Sequence, residues 1–139
     1  MNYKIIGKYI KNLDFEIPSP QIYTSLSKEI TDYKINIDIK SNQIREKVIE
    51  VETSLSLISD KKNSEKLNTK IVLSTIIEVS NQNIDKQELE KIILIKVPSK
   101  IYPEIRKIFL FLFENSGFKE IKINETVNFE NLYKVRKNQ

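Results

Sequence analysis

Apolar and polar residues alternate through the first half of the chain, with the period of strands that have one covered face. Tyr3, Ile5, Tyr9, Leu13, Phe15 and Ile17 fall on odd positions, and the break near Gly7 predicts a bulge. Pro18 and Pro20 lack the N–H a ladder needs and stop this strand. Gln21 to Asp32 reads as a polar connection carrying Ile22, Tyr23, Leu26 and Ile30. Tyr33, Ile35, Ile37 and Ile39 then alternate strictly with Lys34, Asn36, Asp38 and Lys40, a half-buried strand. Ser41, Asn42 and Gln43 have turn composition. Ile49, Val51, Thr53, Leu55 and Leu57 alternate with Glu50, Glu52, Ser54 and Ser56. Asp60 to Lys66 is a charged hairpin loop, and Leu67 to Val79 is the last strand, with Val72 and Ile76 making its second face apolar too. Three consecutive runs with short loops predict an antiparallel meander, which the N-terminal strand joins through a longer crossing connection.

The second half changes to a helical period. Asp85, with Glu88 three residues on, predicts a capped helix start. Leu89, Ile92, Ile93 and Ile95 supply its apolar positions, and Pro98 is expected to end it. A second helix is predicted from about Ile101 to Pro103 onward, with Gly117 at its left-handed stop. Ile108 to Phe113 is an unbroken apolar run that encircles this helix. A helix on the surface of a monomer keeps one polar face. The run therefore predicts burial on two sides, with Ile108, Phe109, Phe111 and Leu112 assigned to an interface with another subunit. Each extra buried Phe or Leu contributes roughly 1.5–3 kcal/mol. Glu120 to Lys134 is expected to fold back as an extended arm and a short helix. No internal repeat divides the chain, so one domain over residues 1–139 is expected.

Composition narrows the chemistry. The chain has no Cys and no His, which removes disulfides, thiolate zinc sites and the commonest general base. Two isolated glycines build no phosphate-cradling loop. Lys+Arg is 23 and Asp+Glu is 19, a net charge of +4. Acids are interleaved with lysines nearly everywhere, and the basic cluster is the tail, Lys134, Arg136 and Lys137. This reads as a solvated surface rather than a nucleic-acid face. The run Ile108 to Phe113 is far shorter than the roughly 20 residues of a membrane helix. Met1 to Ile10 has no apolar core of a secretory signal, so a cytoplasmic protein without membrane insertion is expected.

Asp14 with Glu16, and Glu50 with Glu52, share strand faces and are the nearest thing to paired carboxylates. No nucleophile has a visible base beside it, so no enzyme, metal or cofactor is expected. The apolar residues outside the core pattern are more informative. Ile22, Tyr23, Leu26 and Ile30 in a connection, with Tyr102 near the helix start, suggest either packing over a sheet edge or a groove for extended peptide.

Four segments, in order, carry a family resemblance. Tyr9 to Pro18 (YIKNLDFEIP) resembles the opening strand of SecB, the bacterial protein-export chaperone. Ile101-Tyr102-Pro103 resembles the start of its long helix, Ser116-Gly117-Phe118 its helix stop, and Val127 to Tyr133 (VNFENLY) its ending. The resemblance implies an α+β fold, a four-stranded antiparallel sheet with two helices on one face. It implies a homotetramer, a dimer of dimers. The implied activity is an ATP-independent holdase that keeps unfolded preproteins translocation-competent and delivers them to the SecA motor. By position, Ile22, Tyr23 and Leu26, with Val97, Ile101 and Tyr102, would wall the client groove. Glu16, with Asn12 at a position acidic in the family, would belong to the face that docks the zinc-bearing tail of SecA.

The sequence departs from that pattern in its charge. The family is strongly acidic, and here Asn12 and Val72 stand at acidic positions while the tail Lys134 to Gln139 is basic. Two competing readings remain at this level: a SecB-like chaperone dedicated to one client such as an antitoxin, and a small basic nucleic-acid-binding domain.

Overall fold

A computed structural model describes residues 2–29, 33–59, 67–80, 83–118, 121 and 123–137. Strands β1 (Tyr3–Glu16), β2 (Tyr33–Arg45), β3 (Val48–Ser59) and β4 (Asn68–Val79) form one antiparallel sheet in the order β1-β4-β3-β2. The meander β2-β3-β4 follows from the alternation, and β1 crosses over to pair with β4. Both β1 and β2 are therefore edges. The loop from Asp60 to Lys66 lies outside the described residues, as does Ile30.

On β4, Thr69, Ile71, Leu73, Thr75, Ile77 and Val79 face the helices and are all buried. Val72, Ser74 and Ile76 face the open side. The register of β1 against this strand explains its irregular pattern. Ile5 stands across from Ile77 but Gly7 across from Ile76, so Ile6 is an extra residue and the parity of the strand inverts. Tyr9 consequently lies opposite Ser74 on the open face, not beside Tyr3 and Ile5 as its odd position predicts. A second shift between Ile10 and Asn12 restores the parity, placing Leu13 across from Ile71 and Phe15 across from Thr69.

The expected turn at Ser41 to Gln43 is instead strand. Ser41 pairs with Val51 and Gln43 with Ile49, and the chain reverses at Glu46 and Lys47, the latter at φ 66. Ladder pairing outweighs local turn preference here. The connection after Pro18 is a helix, α1 (Pro20–Glu29). Its start follows from Ser19, whose Oγ accepts the Ile22 N–H at 3.2 Å, and from Pro20 in the first turn.

Pro98 does not end its helix. α2 (Lys86–Lys91) runs through a π-helical turn (Ile92–Lys96) into α3 (Val97–Asn115). The Val97 N–H donates to the Ile92 carbonyl, a five-residue step that widens the turn just ahead of the Pro98 ring. Asp85 does precede α2, and its carbonyl accepts the Leu89 N–H, but its side chain makes no capping bond. α3 stops as expected. Gly117 has φ 90, the Gly117 N–H donates to Glu114 and the Phe118 N–H to Phe113, and the Phe113 and Phe118 rings are 6.1 Å apart. A short helix, α4 (Phe129–Lys137), begins at Asn128, whose Oδ1 accepts the Asn131 N–H. The rod of α2 and α3, with α4 packed against it, lies on one face of the sheet.

Candidate binding surfaces

The side chains expected to wall a client groove divide sharply. Leu26, Val97, Ile101 and Tyr102 are enclosed by their own chain, while Ile22 is half-buried and Tyr23 is 42% exposed. The cause is the unbroken rod. The predicted break between Pro98 and Ile101 is absent: Val97 to Tyr102 lies in α3, and these positions turn toward the sheet. The Tyr102 hydroxyl donates to the Asn124 carbonyl at 2.6 Å, and burial pushes its pKa up. Leu26 anchors α1 in the core. Tyr23, one turn earlier, lies over the end of α3, with its ring 5.2 Å from that of Phe118.

The candidate interface on α3 is divided too. Phe109 is wholly buried in its own core, 5.1 Å from Phe113, and offers nothing to a partner. Ile108 and Leu112 are half-buried, and Phe111 is 62% exposed. They lie on the flank of α3 that carries Glu104, whose carboxylate takes the Lys8 ammonium of β1. The same side of β1 presents Ile10, 49% exposed, and Leu13, 39% exposed. An edge strand and a helix flank thus share one apolar surface, bridged by one ion pair. The sequence pattern names Leu13 without Ile10, because the two bulges conceal the face they share.

Asn12 and Glu16 are both exposed on the open face of the sheet. Nearby, Glu50 is buried on this face. Its carboxylate accepts bonds from the Ser74 hydroxyl at 2.6 Å, the Lys11 ammonium at 3.1 Å and the Tyr9 hydroxyl at 3.1 Å. These hold its pKa below the usual carboxylate range, the serine most, against the opposing effect of burial. Lys11 also reaches Glu52 at 3.3 Å. The expected carboxylate pair Glu50 and Glu52 is thus bridged by one lysine and serves the sheet. Among the described residues no cluster of three or more carboxylates is placed to hold a metal ion, and no helix is long and apolar enough to cross a membrane.

A cleft of about 470 Å³ opens between the β2 edge and the helices. Ile39, Ile93 and Leu94 line it with Lys40, Glu90 and Arg136. Its parts come from three distant segments, and no local pattern points to it.

A four-stranded antiparallel sheet carrying a helical layer on one face, with apolar side chains left open on an edge strand and a helix flank, defines an α+β domain. The whole chain, residues 1–139, matches the family Preprotein translocase subunit SecB. A chain of Pelagibacter ubique named for the protein-export protein SecB is 41% identical over 137 residues, 99% of this chain and 98% of that one. The protein-export protein SecB of Bartonella bacilliformis is 24% identical over 134 residues, 96% of this chain and 82% of that one. The chain belongs to the SecB family, a family of protein-export chaperones. Its fold is also that of the Mycobacterium tuberculosis SecB-like chaperone Rv1957, solved in complex with a ChAD peptide from the HigA1 antitoxin. The TM-score is 0.63 at 11% identity, over 88% of this chain and 90% of that one.

Proposed function

We propose that this chain is an ATP-independent holdase that binds unfolded preproteins, keeps them competent for translocation and delivers them to SecA in the cytoplasm. The observation that carries this reading is the apolar surface left on a SecB fold: Ile10 and Leu13 on β1, Phe111 on α3, and Tyr23 on α1. Two uses divide that surface. The β1 and α3 flank serves self-association, as a dimer of dimers, since an exposed edge strand beside an apolar helix is otherwise an aggregation hazard. The α1 region, with Ile22 and Tyr23 at the surface and Leu26 anchoring it from beneath, serves client contact.

Such a protein makes and breaks no covalent bond. Holding acts by mass action, because whatever binds the unfolded chain lowers the population free to fold. Several weak apolar contacts on one client add through effective concentration. SecA docking belongs to the open face of the sheet, with Asn12 and Glu16. The export names of the relatives favour a role in protein export over service to an antitoxin.

Light scattering of the purified protein, alone and with a slowly refolding unfolded client, tests the reading. The expected result is a mass near four subunits and a client complex that forms without ATP. A monomer that leaves the client to aggregate overturns it.

A further inference from the structure

We propose that the free edge of β2 holds an extended client segment as an added strand. The inference rests on the holdase reading and names how the client is gripped. The two edges of the sheet differ. β1 is bulged between Ile5 and Gly7 and again between Ile10 and Asn12, which bends its outer backbone and breaks the even spacing an added strand needs. β2 pairs with β3 in one unbroken register from Tyr33 to Gln43. Among the described residues no strand lies on its other side. In an antiparallel ladder every second residue turns its N–H and C=O away from its partner, so the stretch from Ile35 to Gln43 presents a regular row of donors and acceptors.

The side chains beside this edge suit the same occupant. Ile35, Ile37 and Ile39 are half-buried on the helix side, and the cleft of about 470 Å³ opens from Ile39 toward Ile93 and Leu94. An added strand turns every second side chain toward that layer, where a leucine or valine covers Ile93 and Leu94. The bonds themselves run to backbone, which every client sequence carries. A second copy of this chain fits the edge less well. None of the large exposed apolar side chains lies on β2 between Tyr33 and Gln43, so joining two β2 edges adds little apolar area toward the roughly 800 Å² per partner of a stable interface. Antiparallel pairing of two copies over that whole stretch would also set Asp38 against its own counterpart, like charges directly opposite. An unfolded chain brings its own apolar side chains and adjusts its register.

The test uses a short peptide of alternating leucine and threonine, unmodified, N-methylated at every leucine, or N-methylated at every threonine. A paired strand donates from one alternate set of N–H groups only. In fluorescence anisotropy one methylated peptide should bind as the unmodified one does, and the other at least about tenfold more weakly, the scale of one or two backbone bonds. Hydrogen exchange followed by NMR should show the unmodified peptide protecting every second amide from Ile35 to Gln43 and leaving those of β1 unchanged. Equal losses from the two methylated peptides, protection that falls away from β2, β2 amides already protected in the free protein by a second copy, or no peptide binding by a preparation that holds the unfolded client each overturn this inference alone. Failure to bind both the peptide and the unfolded client overturns the holdase reading, and the inference with it.

Discussion

Asn12 of β1 stands directly across from Val72 of β4 on the open face of the sheet. These are the two positions at which the family resemblance implies acids. Their neighbours, Asp14 and Lys70, are also cross-strand partners, so the face is mixed in charge rather than acidic. If this face docks SecA, Asn12→Asp with Val72→Glu should raise affinity for the isolated zinc-loaded SecA tail about tenfold, the scale of one added charge-assisted contact. Like charges directly opposite should also lower stability by up to about 1 kcal/mol. Calorimetry of the tail peptide reads the first effect and thermal melting the second. A double variant that melts lower without binding more tail removes this face as the docking site.

Gly117 is required twice over. Its φ of 90 disfavours any side chain, and a Cβ there would stand 2.5 Å from the Tyr23 hydroxyl oxygen. Gly117→Ala should destabilise by about 2 kcal/mol or more. Adding Tyr23→Phe removes the clashing oxygen and should recover only part of the loss, because the backbone strain remains. Full recovery, read by denaturant titration of both variants, would show that Tyr23 alone sets the requirement.

Glu50 makes stability depend on pH in one direction. Its carboxyl is held below its ordinary range in the folded state, chiefly by the Ser74 hydroxyl. Its contribution is therefore fully present above the unfolded-state carboxylate pKa and is lost as pH falls through the folded value. Glu50→Gln should destabilise by about 1 kcal/mol near neutrality. The gap between the variant and the parent should close on acidification. A gap that stays constant from neutral pH into the acid range contradicts the assignment.

Phe111 is the most exposed large apolar side chain on α3. Phe111→Asp should leave the monomer fold intact, since the ring makes little contact within its own chain, and should reduce the mass measured by light scattering. Unchanged helical circular dichroism with a smaller particle is the expected pair of results. An unchanged particle would remove this flank from the assembly interface.

Thr53 and Thr75 bury hydroxyl groups that have no hydrogen-bond partner. Both face the helices, where a methyl group of the same shape fits. Thr75→Val should stabilise by about 1 kcal/mol, because an unsatisfied buried hydroxyl is replaced by an apolar isostere. For a chain of this length that is a rise of about 3 °C in Tm. A fall in Tm would mean that the hydroxyl has a partner after all.

Much of the architecture was legible because it is local. Strict alternation marks β2 and β3 wherever one face is covered, and Gly117 followed by Phe118 marks a helix stop through conformational freedom and one apolar contact. The start of α1 was not read: Ser19 and Pro20 open the helix, but Pro20 reads as a strand stop and the polar composition after it as a connection.

What the sequence by itself determined is the set of strands, the long apolar helix, its stop and the ordered motifs of a family. Tertiary structure decided which face each residue occupies. Tyr9 reaches Glu50 only because the pairing with β4 admits an extra residue at Ile6, and a bulge is a property of two strands together. Pro98 continues a helix because the turn before it widens. Phe109, Ile101 and Tyr102 are enclosed because that continuous rod turns them to the sheet. The cleft beside Arg136 exists only where β2, the π-helical turn and α4 meet. Periodicity reports whether a position is covered; what covers it depends on segments far away in the chain.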